Sequence, residues 1–256
     1  MKRREYPILE FDPSRRSTIE ASSNIRAIDT PRHCVPVFFQ DVIDRLLEKG
    51  DAREIACMGS EMGRHPLYET ERAGRRVAFF QPGISAPFAA AMLEEVIAYG
   101  CRRFIACGAA GVLDRDVAVG HIVVPTAAVR DEGTSYHYLP PSREVEPSPE
   151  AVRVVEETLE ENGLKYLTAK TWTTDAIYRE TPEKIRLRRE EGCLTVEMEA
   201  AAFFAVAAFR GVTFGQLLYG GHDVSGEEWD SRDWNRRTDG SDRLFEWAVE
   251  ACLKLE

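Results

Sequence analysis

Two rhythms of apolar residues alternate along this chain. Short apolar runs at residues 34–39, 55–58, 77–80, 104–107, 122–124, 167–171, 194–196 and 212–219 read as strands. Helical stripes lie between them. Residues 41–49 place apolar side chains at 42, 43, 46 and 47, and Gly50 stops the stripe. Residues 86–99 hold Pro87 in the first turn and end at Gly100. The stretches 149–162, 182–191 and 198–210 end at Gly163, Gly192 and Gly211, and 242–255 forms the last helix.

Residues 1–31 are polar with no sustained period and read as an extended arm, packed on the body or on a neighbouring subunit. Residues 131–149 and 220–237 read as loops. Nothing suggests a boundary after the arm, so 32–256 is expected to be a single domain. Strands alternating with helices predict an α/β fold with a largely parallel central sheet. In such folds ligands bind beyond the carboxyl ends of strands, so the residues just after strands carry the functional information.

Charge narrows the partners. The 43 acidic residues outnumber the 33 basic ones, for a net charge of −10. That balance argues against a broad polyanion-binding face, so nucleic acid is not an expected partner. No apolar stretch approaches the roughly 18 residues of a membrane span. The basic N-terminus lacks the apolar core of a secretory signal. Six widely spaced cysteines without a CxxC pair read as buried free thiols, which suits a reducing cytoplasm.

Three segments could carry chemistry. In Glu197-Met198-Glu199, two carboxylates sit where a strand gives way to an apolar helix. One Glu is accounted for by the helix dipole. Two beside an apolar segment ask for hydrogen-bond donors, because an unpaired buried charge is costly. A vicinal diol supplies two, so Glu199 could hold ribose hydroxyls while Met198 packs on the sugar face. In Gly108-Ala109-Ala110-Gly111, small residues after a strand allow a tight exit, or a close approach of backbone N–H groups to an anion. In Gly220-Gly221-His222-Asp223, an aspartic acid could protonate a leaving group if burial raises its pKa, or could simply form an Asx-turn. No HExxH, P-loop or GxGxxG is present, so zinc hydrolysis, NTP hydrolysis and NAD chemistry lack support.

Taken together, three stretches resemble the nucleoside phosphorylase family of the uridine phosphorylase and hexameric purine nucleoside phosphorylase type. They are CGAAGVLDRDVAVGHIVVPTAAVRDEGTSYHY at 107–138, TTDAIYRE at 173–180 and VEMEAAAFFAVAAFRGV at 196–212. The resemblance implies a three-layer α/β/α sandwich with a mixed, largely parallel sheet, assembled as a dimer, trimer or hexamer. It implies a cytoplasmic salvage enzyme that cleaves a purine or pyrimidine nucleoside with phosphate, yielding free base and (deoxy)ribose 1-phosphate. No metal or organic cofactor is implied; phosphate is a co-substrate.

Site roles follow from the same resemblance. Glu199, with Met198 and Glu197, matches the ribose site. Asp223 matches an aspartate that protonates the base, with Arg232 or Arg236 as its basic partner. Thr174, Ile177 and Tyr178 fall where the base pocket is lined. Gly108, Ala109, Arg64 and Arg130 are the candidates for phosphate, Arg64 by reaching a neighbouring subunit's site. Three features depart from the pattern. The family's Gly-Asp-Pro-x-x-Arg loop is absent after Val37-Phe38-Phe39, its next arginine is Ala106, and a threonine is Ala109. A phosphate dianion without arginines loses its strongest bonds. Two other readings therefore stay open: a nucleosidase that activates water with Glu197, Glu61 or Asp41, and a non-catalytic nucleoside-binding protein.

Overall fold

The computed structural model describes residues 2–234 and 238–256, with the side chains of 238 and 239 outside the description. The apolar runs assemble into one ten-stranded sheet. Its strands are β1 (His33–Pro36), β2 (Ala52–Ser60), β3 (Gly63–Arg72), β4 (Arg75–Phe80), β5 (Arg103–Val112), β6 (Ile122–Asp131), β7 (Glu144–Val145), β8 (Tyr166–Thr174), β9 (Cys193–Glu197) and β10 (Thr213–Asp223). The helices are α1 (Ala21–Asn24), α2 (Gln40–Glu48), α3 (Ala86–Tyr99), α4 (Pro149–Glu161), α5 (Pro182–Glu190), α6 (Ala200–Arg210) and α7 (Thr238–Lys254).

The sheet curls on itself. β5 pairs with β10, β10 with β6, β6 with β8 and β8 with β9, and β9 returns to β5. The wing β1–β4–β3–β2 extends from β5 on its other side. Parallel ladders join β1 to β4 and β5, β5 to β10, and β6 to β8, as does the ladder of β8 and β9. Antiparallel ladders join β2–β3, β3–β4, β5–β9, β6–β7 and β6–β10. The sheet is thus mixed, as the resemblance implies, and its two longest ladders, β5–β10 and β6–β8, are parallel. Closing the ring brings strands of opposite direction side by side.

Helices cover both faces. On one, α3 and α6 pack over Phe104, Ala106 and Phe214, with the Phe203 and Phe214 rings 4.9 Å apart. On the other, α2, α4 and α7 bury Ile43, Val154 and Phe245. Each fully buried Phe or Ile contributes about 2 kcal/mol relative to exposure. The sandwich expected from the family resemblance is present. The arm carries a 3-10 turn (Pro7–Leu9) and α1, and lies against its own body: Thr30 donates to the Tyr99 carbonyl and Arg210 pairs with Glu20. The cysteines are all free, Cys57 half-buried and the others buried. Among the described residues no helix is long and apolar enough to cross a membrane.

Hydrophobic pattern placed the elements but underestimated the strands. β3 is invisible in that pattern because GRHPLYETER is mostly polar and buries only Leu67, Glu69 and Thr70. β5, β6, β8 and β10 all run several residues past their apolar cores. Backbone pairing continues there while side chains turn small or polar.

Candidate active site

β5 has two partners in succession along one edge. β1 pairs with its start, at Arg103 and Phe104, and an isolated bridge joins Val37 to Cys107. β9 pairs with its end, at Gly111 and Val112. Between them the edge opens on a cavity of about 230 Å³ bordered by residues 108–111. Gly108-Ala109-Ala110-Gly111 is therefore no strand exit, because these residues lie inside β5 and pair with β10 and β9. Their small size has a packing cause. A Cβ on Gly108 would lie 2.9 Å from Phe38 Cδ2, and one on Gly111 would lie 2.6 Å from His222 Nε2.

The two glutamates at the end of β9 differ sharply. Glu197 is consumed by the fold. Its Oε1 accepts from the Thr173 hydroxyl at 2.6 Å, and its Oε2 accepts from the backbone N–H groups of Glu199 and Ala200 at 2.7 and 2.6 Å. It thereby satisfies the first donors of α6, a carboxylate at a helix N-terminus. Glu197 also borders the cavity, but these bonds, with one from the Thr171 hydroxyl, occupy its lone pairs and leave it little capacity to accept from ribose. Glu199 is only 5% exposed and borders the cavity. Its carboxylate accepts only from backbone, the Ser85 N–H at 2.6 Å and the Met198 N–H at 3.3 Å. Ser85 takes a φ of 102°, a strained value for a non-glycine residue, and starts α3. Burial, then the Glu197 charge, push Glu199 up to about 8. Burial raises Glu197 to about 6 against the hydrogen bonds it accepts. Among the described residues no arginine neutralises Glu199, and the cavity lies in front of it. Met198 borders the same cavity.

The other end of the cavity is built from residues that pattern reading did not single out. Phe38 and Phe39 follow β1, Ile84 precedes α3, and Trp234 closes one side. Of the expected base-binding residues, Ile177 borders the cavity. Tyr178 is 94% exposed and Thr174 is buried, accepting from the Ala176 N–H at 3.2 Å, so neither borders it. Glu180 does, and burial raises its carboxyl to about 7. Gln216, 2% exposed, also borders it and leaves its buried Oε1 without a hydrogen-bond partner. A lone amide within the apolar run 212–219 was the available signal for Gln216.

Asp223 does not border the cavity. Arg232 Nη2 donates to its Oδ2 at 2.5 Å and the Ser225 N–H to its Oδ1 at 2.7 Å. Burial pushes its pKa up, but the Ser225 hydrogen bonds and the Arg232 charge prevail and hold it below the usual carboxylate value. An aspartic acid poised to give a proton needs the opposite shift. Arg236, the other expected partner, lies outside the described residues.

A family model described as the phosphorylase superfamily matches residues 34–243. The chain belongs to the phosphorylase superfamily. It is 29% identical over 233 residues to guanosine phosphorylase of Halorubrum lacusprofundi, covering 82% of this chain and 94% of that one. Its fold resembles uridine phosphorylase from Vibrio fischeri ES114, with a TM-score of 0.75 at 22% identity, covering 89% of this chain and 93% of that one. It also resembles AMP nucleosidase from Bacteroides thetaiotaomicron VPI-5482, with a TM-score of 0.71 at 23% identity, covering 89% and 90%.

This member of the phosphorylase superfamily is unusual in its cations. Among the described residues bordering the cavity there is no Lys or Arg. Arg130, an expected phosphate ligand, is buried elsewhere and spends its guanidinium on the Ser135 and Ser142 hydroxyls and the Pro140 carbonyl, at 2.7–2.8 Å. It braces the β6–β7 connection, which corrects that expectation. Arg64 stands on the β2–β3 hairpin, 71% exposed at its side chain, pairing with Glu54 at 2.6 Å. It takes no part in the cavity of its own chain. Ala106 faces Gln216 directly across the β5–β10 ladder, so an amide now stands beside the position where the resemblance leads one to expect an arginine.

Proposed function

We propose that the chain is a nucleoside phosphorylase, a pentosyltransferase. It transfers the pentose of a purine or pyrimidine nucleoside to phosphate, releasing the base and (deoxy)ribose 1-phosphate. Relatives named guanosine phosphorylase and uridine phosphorylase support the reading. The observation that carries it is Glu199: a buried carboxylate on an open cavity which, among the described residues, is held by two backbone N–H groups and has no cation beside it. Such a group is incomplete until donors arrive, and the 2′- and 3′-hydroxyls of a sugar supply them. Met198 offers an apolar surface to the sugar ring.

The chemistry follows from that grip. Fixing the ribose orients C1′ between the base and the incoming oxygen, so binding energy remote from the bond lowers the barrier. The C1′–N bond breaks with its electron pair going to the base. The sugar passes through an oxocarbenium-like state, and a phosphate oxygen forms the new C1′–O bond. The cation that steadies phosphate is taken to be Arg64 of a neighbouring copy, because the hairpin leaves it exposed and the described residues bordering the cavity include no cation. A homo-oligomer in the cytoplasm, acting in nucleoside salvage, is part of the same proposal.

The test is base release from a panel of nucleosides with and without phosphate. Release that requires phosphate supports phosphorolysis. The lack of an arginine among the described residues bordering the cavity favours one alternative, hydrolysis, which would give equal release without phosphate. Tight binding with no release would leave only a nucleoside-binding protein.

A further inference from the structure

We propose that His222, not Asp223, meets the leaving base and donates the hydrogen bond that helps it depart. This rests on the nucleoside phosphorylase reading and names a residue for it. At the end of β10 the pairing with β5 shifts register between Gly220 and Asp223, and the two neighbouring side chains part there. His222 borders the cavity that Glu199 and Met198 share, and Asp223 is on the far side.

Asp223 is fastened there three ways. Its carboxylate holds Arg232 and the Ser225 N–H, and its backbone exchanges hydrogen bonds with Asp230 at 2.8 and 3.0 Å. Arg232 is itself tied to the Val117 carbonyl at 2.7 Å. Turning Asp223 into the cavity would break an ion pair shielded from water, which is strongly unfavourable.

His222 is held in place yet chemically free. Its ring lies 6.0 Å from the Trp229 ring and 6.1 Å from the Trp234 ring. It makes no hydrogen bond to any described residue. Its Nε2 occupies room that exists only because residue 111 is glycine: a Cβ there would come within 2.6 Å. Burial lowers its pKa, so the ring is neutral at pH 7 and carries one N–H donor and one acceptor nitrogen.

A neutral N–H suits this reaction. As the C1′–N9 bond of a purine nucleoside breaks, its electron pair spreads onto N7. A hydrogen bond from His222 to N7 strengthens as that charge grows, so it favours the transition state over bound substrate. No proton leaves His222. The base departs as a hydrogen-bonded anion and takes its proton from water, while phosphate oxygen closes on C1′.

The test compares guanosine with p-nitrophenyl β-riboside, whose leaving group needs no donor, in the full-length protein. His222→Phe keeps a ring and removes the N–H. It is expected to lose about 100-fold in kcat on guanosine and far less on the nitrophenyl riboside. His222→Gln restores an N–H donor and should recover part of the guanosine rate, which keeps the inference testable if the Phe variant folds poorly. Asp223→Asn is expected to lower the melting temperature and cost less than tenfold in kcat. Equal losses on both substrates for the His222 variants, or a larger guanosine loss for Asp223→Asn, overturns the assignment. A wild-type protein that frees neither base from guanosine or uridine nor nitrophenolate from the riboside sinks the phosphorylase reading itself; His222→Phe working at the wild-type rate on guanosine sinks only this inference.

Discussion

The backbone N–H of Glu199 donates to the Glu197 carboxylate at 2.7 Å, so one glutamate positions the other. Two residues of identical type, separated by one methionine, have divided the labour. Both border the cavity, but Glu197 terminates β9 and starts α6 with its carboxylate satisfied, while Glu199 keeps acceptor capacity toward the cavity. Replacing Glu197 with Ala would orphan the Thr173 hydroxyl and two buried N–H groups. The expected cost is about 3 kcal/mol of folding stability, read from chemical denaturation. A Glu197→Ala protein as stable as wild type would contradict the capping role.

Glu199 should couple nucleoside binding to proton release. With the carboxyl raised to about 8, the ligand-free protein holds that proton at pH 7. Sugar hydroxyls donate best to the ionised form, so binding expels the proton and affinity rises toward pH 8. Calorimetry at pH 7 in two buffers of different ionisation enthalpy should report close to one proton released. Glu199→Gln should abolish that release and weaken binding by about 30-fold, the worth of a charge-assisted hydrogen bond near 2 kcal/mol.

Stability of the ligand-free protein should fall on the alkaline side. The carboxyls of Glu180, Glu197 and Glu199 are raised to about 7, 6 and 8, all chiefly by burial. The folded state binds these protons more tightly than the unfolded chain. Their contribution is complete below the ordinary glutamate value of 4.5 and is lost as pH rises through about 8. Melting curves between pH 5 and 8 should show the decline, and Glu199→Gln should flatten it. A melting temperature that climbs steadily over that range in both proteins would refute the account.

Arg130 should behave as a brace. Arg130→Met removes donors to the Ser135 and Ser142 hydroxyls and to the Pro140 carbonyl. It should lower the melting temperature while leaving the KM for phosphate within about twofold, since a change in uniform binding is what KM reports. A rise of KM for phosphate at unchanged stability would return Arg130 to the anion site.

Much of the architecture was legible in the sequence. Apolar periodicity and glycine stops located α3, α4, α5 and the cores of most strands, because burying one face imposes a period the sequence must carry. The residue types at 197–199 announced a polar site opening an apolar helix. Chemistry alone, however, could not say which glutamate was already satisfied by the fold. That depended on where Thr173 and Ser85 arrive from β8 and the start of α3. Likewise Asp223 and His222 are adjacent in sequence, and only the register shift in β10 and the Arg232 contact separate them.

What the chain specifies by itself is therefore local: period, punctuation and the presence of paired carboxylates. What the tertiary structure decides is which polar groups are already satisfied. Hydrogen-bond partners at Glu197, Arg130 and Asp223 come from segments distant in sequence or from a returning loop. Whether a buried charge is held by the fold or left waiting for a ligand is a property of those meetings, and no one-dimensional pattern contains them.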